Sequence, residues 1–141
     1  MVDNPGAHKA SVMKRVLARV IDILIAWALS LFLPPLGIIL GLAYLAIADS
    51  LHKGQSLGKM VFGLDVLEVD GSGCDLKSSI YRNIPFVFIF LCSAIPLLGW
   101  ILMVVVGIPV MAIELWLMVT DERGERLGDR IAGTHVIEGL H

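Results

Sequence analysis

The sequence predicts an all-α membrane protein: four transmembrane helices as two tandem helical hairpins, each followed by a short amphipathic segment and a strand on the cytosolic face. Three observations predict it. Hydrophobic residues make up 57% of the 141-residue chain and mean hydropathy is +0.83. That is more than a soluble core of this size requires, so lipid is the expected solvent for much of the surface. Residues 20–48 carry only Asp22 as a charge, and residues 84–119 carry only Glu114. At about 1.5 Å per residue the second stretch would reach about 54 Å against about 30 Å of hydrocarbon, so each stretch must fold back. All 11 Lys and Arg residues then fall on one side.

The first helix is expected over residues 12–33. Lys9, Lys14 and Arg15 ahead of an apolar run imitate a signal peptide, but Asp22 inside the run and the lack of a small-residue cleavage site favour an uncleaved anchor. Pro34, Pro35 and Gly37 mark a turn, and the second helix follows over residues 36–51. Its Gly37 and Gly41 form a small-xxx-small face suited to close helix packing. The third helix is expected over residues 79–95, a turn at Pro96 to Gly99, and the fourth helix over residues 100–120. Gly107 and Pro109 predict a kink there that exposes backbone carbonyls. Length allows one domain, residues 1–141, with halves of about 1–70 and 71–141.

Orientation follows from the bases. Lys9, Lys14, Arg15 and Arg19 lie at the start of the first helix, Lys53, Lys59, Lys77 and Arg82 in or beside the middle segment, and Arg123, Arg126 and Arg130 in the tail. The two hairpin turns have none, so both termini and the middle segment are expected on the cytoplasmic side. Trp27, Trp100 and Trp116 suit interfacial anchors.

The polar segments contain a repeat. Residues 57–68 align with 127–138 without gaps, with five of twelve positions identical and two more exchanging Val or Leu for Ile. Each half reads as a hairpin, a short amphipathic turn and a strand ending in Glu68 or Glu138. The two strands are placed to pair, and the halves to be related by an axis along the membrane normal.

Counting from the turns gives depth. Asp22 and Asp49 lie roughly 18 and 21 Å from the first turn, and Glu114 and Arg82 roughly 21–23 Å from the second. With Arg19 one turn before Asp22, five ionisable side chains converge on the inner third of the membrane. Arg19 and Arg82 against Asp22, Asp49 and Glu114 sum to −1 when all are ionised, a balance that admits a cation or a proton. The competing reading is structural: Arg19 and Asp22 as a neutralised pair that fixes helix register.

Other chemistry finds little support. Gly54, Gln55, Ser56, Leu57, Gly58 and Lys59 have three residues between the glycines where a phosphate loop has four, and Met60 where it has Ser or Thr, so nucleotide binding is rejected. His8, His52, His135 and His141 form no metal-ligand pattern, and Cys74 and Cys92 are expected as free thiols. No cofactor, nucleic-acid interface or enzyme is implied.

Three ordered segments resemble the RDD family of membrane proteins, named for an arginine and two aspartates. The first is Arg15-Val16-Leu17-Ala18-Arg19-Val20-Ile21-Asp22, with Arg15 as the arginine and Asp22 as the first aspartate. The second is Gly54-Gln55-Ser56-Leu57-Gly58-Lys59 onward to Val66. The third is Leu127-Gly128-Asp129-Arg130-Ile131-Ala132-Gly133-Thr134-His135-Val136. The second aspartate is placed at Asp129, with Asp49 the competing position, and Met60 departs from a basic residue often found there. The resemblance implies a bacterial cytoplasmic membrane protein with no settled general activity, transport being the usual suggestion and cation/proton exchange one form of it.

Together these readings give a small transporter of the cation/proton antiporter kind, working as a homo-oligomer on Na+, K+ or Li+ and protons. Asp22 and Asp49 would exchange the ions, and Arg15, Arg19 or Arg82 would be their charge partners. The alternative is a membrane adaptor that recruits a partner through its cytosolic segments. A lipid contact through Arg15, Lys59 and Arg130 is compatible with both.

Overall fold

The computed structural model of the chain describes residues 10–32 and 35–139. The expectations for His8, Lys9, Pro34 and His141 lie outside these residues. Helix α1 (Val12–Leu31) packs along α2 (Leu36–Ile47) as the first hairpin. A Cβ on Gly37 or Gly41 would run into carbonyl oxygens of α1, so the small-residue face packs inside the chain. The second helix ends four residues sooner than its hydropathy suggests, because a 3-10 turn (Ala48–Lys53) tightens the chain and His52 takes a positive φ of 40°.

The short helix α3 (Leu57–Val61) and strand β1 (Leu64–Glu68) follow. Helix α4 (Leu76–Ser93) begins three residues ahead of expectation, because Asp75 caps it by accepting a hydrogen bond from the Ser78 amide at 2.6 Å. After Leu97, whose φ is 61°, α5 (Leu98–Leu102) and α6 (Ile108–Thr120) run on as one helix through a π-helical turn at Met103–Gly107. That wider turn sits where Gly107 and Pro109 predicted a kink. Helix α7 (Leu127–Ala132) and strand β2 (Thr134–Glu138) close the chain.

The repeat is structural. Strands β1 and β2 begin and end 70 residues apart, as do the starts of α3 and α7. The strands pair antiparallel about the equivalent residues Val66 and Val136, with Leu64 opposite Glu138 and Glu68 opposite Thr134, as an approximate two-fold axis through the central pair requires.

The molecule is polar inside and apolar outside. Its largest fully buried side chains include Arg82, Asn83, Asp22, Asp49 and Asp129 beside Leu45, Leu64 and Val66, whereas Leu24, Trp27, Trp100, Val105, Ile108 and Trp116 are among many large apolar residues exposed. Exposed apolar surface on that scale marks contact with lipid. Among the described residues one helix, Leu98–Thr120, is long and apolar enough to cross a membrane by itself, with mean hydropathy 2.4 over an 18-residue window of which 17% is buried. At about 1.5 Å per residue its length is about 34 Å, matching the hydrocarbon layer.

Candidate functional site

Two glycines seat α3 and α7 on the longer helices. A Cβ on Gly58 would strike the Ala18 carbonyl oxygen of α1, and one on Gly128 would strike that of Arg82 on α4. These contacts put α1 and α4 in a common register, in which Arg19 corresponds to Asn83 and Asp22 to Phe86. Arg19 and Asn83 meet across the axis, Arg19 Nη2 donating to Asn83 Oδ1 at 2.9 Å.

Three buried aspartates organise the polar interior. Asp22 accepts from the Tyr44 hydroxyl at 2.7 Å, the Ser56 hydroxyl at 2.6 Å and the Gly58 amide at 2.9 Å. It thereby ties both helices of the first hairpin to the start of α3. The anticipated Arg19–Asp22 pair gives way to a different arrangement, in which Arg19 turns to Asn83 and stands 3.8 Å from Asp49. The reason is that Asp22 is already saturated by neutral donors, while Asp49 gathers the cations.

Asp49 receives the Lys59 ammonium, the Asn83 amide at 3.1 Å and Arg82 Nε at 3.1 Å. Asp129 receives Arg15 at 2.7 Å, Arg82 Nη2 at 2.7 Å and Arg126 Nη2 at 3.1 Å. Arg82, wholly buried, therefore bridges the two aspartates between which the sequence left the family assignment open. Its contacts to them are ion pairs, with angles outside those of directed hydrogen bonds. Arg15 also donates to the Gly124 carbonyl, anchoring the tail on α1.

Glu114 differs from the three aspartates. It is buried on α6, its nearest cation is Arg126 Nε at 3.8 Å, and the Gly128 amide faces it in a contact looser than the hydrogen bonds that hold the aspartates. The guanidiniums of Arg19 and Arg126 lie over the Phe86 ring, 4.4 and 5.5 Å from its centre. In the first half the corresponding pair is Ser56 on Asp22, so the repeat uses a hydroxyl–carboxylate bond on one side and a cation–ring contact on the other.

The electrostatics differ from the expected −1. Every buried charge among the described residues belongs to this cluster: five bases (Arg15, Arg19, Lys59, Arg82, Arg126) and four acids (Asp22, Asp49, Glu114, Asp129), a net of +1 with all ionised. The count changed because Lys59, Arg126 and Asp129, expected in cytosolic segments, fold back under the helices and are buried, and because Arg15, expected at the start of the first helix, is buried with them. Burial pushes the Lys59 ammonium down to about 7, only partly opposed by Asp49. Burial by itself would raise the Asp129 carboxyl, but Arg126, Arg82 and Arg15 hold it well below the usual carboxylate range.

The remaining sequence candidates are more peripheral. Gln55 donates to Asp65 at 2.5 Å, and Gly54, with φ of 103°, turns the chain into α3. Arg130 is half exposed and pairs with Asp121. Cys74 and Cys92 are free thiols. Sequence reasoning missed Arg126, Asn83, Tyr44 and Ser56. The repeat carried a signal for two of them: one position before the aligned block, Ser56 stands opposite Arg126.

Residues 33–133, well over half of the chain, match the RDD family. The match contains Asp49, Asp129, the second motif and the third as far as Gly133, and starts after the Arg15 to Asp22 segment. No curated protein and no solved structure matches the chain. With its apolar exterior and this match, the chain is a membrane protein of the RDD family.

Proposed function

We propose that the chain crosses the bacterial cytoplasmic membrane four times, with both termini and the paired strands on the cytoplasmic side, and exchanges protons for a monovalent cation. In this reading Glu114 carries the exchanged proton. Asp22, Asp49 and Asp129 hold the hairpins together, a change from the sequence expectation for Asp22 and Asp49. The observation that supports the reading is the contrast in bonding: each aspartate has close donors or ion pairs, whereas buried Glu114 has a loose contact to the Gly128 amide and a cation no nearer than 3.8 Å. An acid fixed by three close donors or cations gives up its ion reluctantly, and one held more loosely is available to a proton or cation. The π-helical turn seven residues before Glu114 gives its helix a place to move.

Purified protein in sealed proteoliposomes tests this by proton flux on addition of Na+, K+ or Li+. Wild type and Asp22→Asn should exchange, and Glu114→Gln at equal incorporation should not. Flux undiminished in Glu114→Gln removes the assignment.

A second reading, the membrane adaptor, draws on the apolar outer faces of α3 and α7, where Leu57 and Leu127, and Val61 and Ile131, are exposed at equivalent positions. Under it no cation elicits flux, and substitutions on those faces disrupt recovery of a partner.

A further inference from the structure

We propose that the Arg19 and Arg82 guanidiniums, where they meet beside Asp49, form a binding site for a small inorganic anion. Both approach the same carboxylate oxygen, Asp49 Oδ2, Arg19 Nη2 at 3.8 Å and Arg82 Nε at 3.1 Å. Each is buried, and each keeps an Nη1 group with no close hydrogen-bond acceptor among the described residues, the Cys74 thiol being a weak partner of Arg82. Buried guanidinium N–H groups are costly to leave unpaired.

The charge count points the same way. Asp49 is shared among Lys59, Arg82 and Arg19, and Asp129 among Arg15, Arg82 and Arg126, so two carboxylates face five cations. Asp22 spends its oxygens on Tyr44, Ser56 and Gly58. Glu114 stands nearest Arg126. The cluster is left with a surplus of one positive charge in a region shielded from water, and an uncompensated buried charge is strongly unfavourable. A monovalent anion beside the Nη1 groups removes the surplus and supplies acceptors. The Cys74 thiol, which lies beside Arg82, adds no charge there. The ligand class is therefore opposite in sign to the cation that the sequence balance of −1 suggested. The site does not depend on proton exchange at Glu114, and its test involves no transport.

The test is thermal unfolding of detergent-purified protein at pH 6, where Lys59 is charged. Sodium gluconate is replaced stepwise by sodium chloride or sodium nitrate at constant sodium. Wild type should show a midpoint rising by about 4 °C for each tenfold increase in chloride or nitrate above its Kd. Arg19→Gln, which removes both the surplus and one arm of the site, should lose the response. Glu114→Gln, which raises the surplus to +2, should respond at lower anion concentration. Equal wild-type midpoints in gluconate, chloride and nitrate, or an unchanged response in Arg19→Gln, would overturn the proposal.

Discussion

Removing a buried acid from this cluster should cost much more than removing a buried base. Asp49→Asn takes away the carboxylate that Lys59, Arg82, Arg19 and Asn83 share and raises the surplus from +1 to +2. Breaking a buried ion pair by removing one partner costs about 3–5 kcal/mol, and here several cations are left facing a neutral amide, so about 4 kcal/mol is expected. Arg19→Gln instead brings the sum to zero. It gives up a hydrogen bond to Asn83, a 3.8 Å ion pair and the Phe86 contact, losses of about 2–3 kcal/mol that are offset by relief of repulsion from Arg126 and Arg82. A net cost of about 1–2 kcal/mol follows. For a chain of this size the thermal midpoints in detergent should fall by about 12 °C for Asp49→Asn and about 5 °C for Arg19→Gln. Measurement belongs in a low-binding anion such as gluconate, so that a bound ion does not mask the difference. Equal losses, or a larger one for Arg19→Gln, would refute the charge balance.

Lys59 makes stability depend on pH. Its folded value is about 7 against an ordinary 10.5, so between these values the unfolded chain binds more protons and stability rises with pH. The stability is fully present above about 10.5 and lost as pH falls through about 7. Thermal midpoints should climb from pH 6.5 to 9.5 in wild type, and Lys59→Met should flatten the rise. The glycine seats yield another prediction. Gly58→Val and Gly128→Val would each force a segment off its helix, separating Asp22 from Ser56 and Asp129 from Arg82 respectively. Loss of folded monodisperse protein is expected from either, while Gly71→Val, whose Cβ meets nothing within 4 Å, should leave far more intact despite its φ of 84°.

Much of the fold was legible because hydrophobic length and glycine-proline punctuation act locally. The helix limits near Val12, Leu36 and Thr120 follow from where apolar runs start or stop, and the 70-residue repeat predicted two strands that do pair. The charge cluster was legible only in part. Depth counting brought Asp49, Arg82 and Arg19 together, and the structure joins them at one carboxylate, since helical rise is regular. It said nothing about Lys59, Arg126 and Asp129, because their burial depends on α3 and α7 folding back onto α1 and α4. Those contacts are made at Gly58 and Gly128, two residues that look like ordinary turn glycines. The Arg19–Asp22 pair failed for a related reason: one helical turn of separation permits a pair, but the donors of Tyr44, Ser56 and Gly58 came from segments whose placement the spacing does not encode.

The proton site is the part of the account most exposed to direct measurement. Infrared difference spectra of the purified protein between acid and neutral pH, in the presence and absence of sodium, report which carboxyl group takes up a proton. The account predicts a carboxyl band that responds to sodium, persists in Asp22→Asn and disappears in Glu114→Gln. A band that persists in Glu114→Gln and disappears in Asp22→Asn would contradict it and return the proton to the first hairpin.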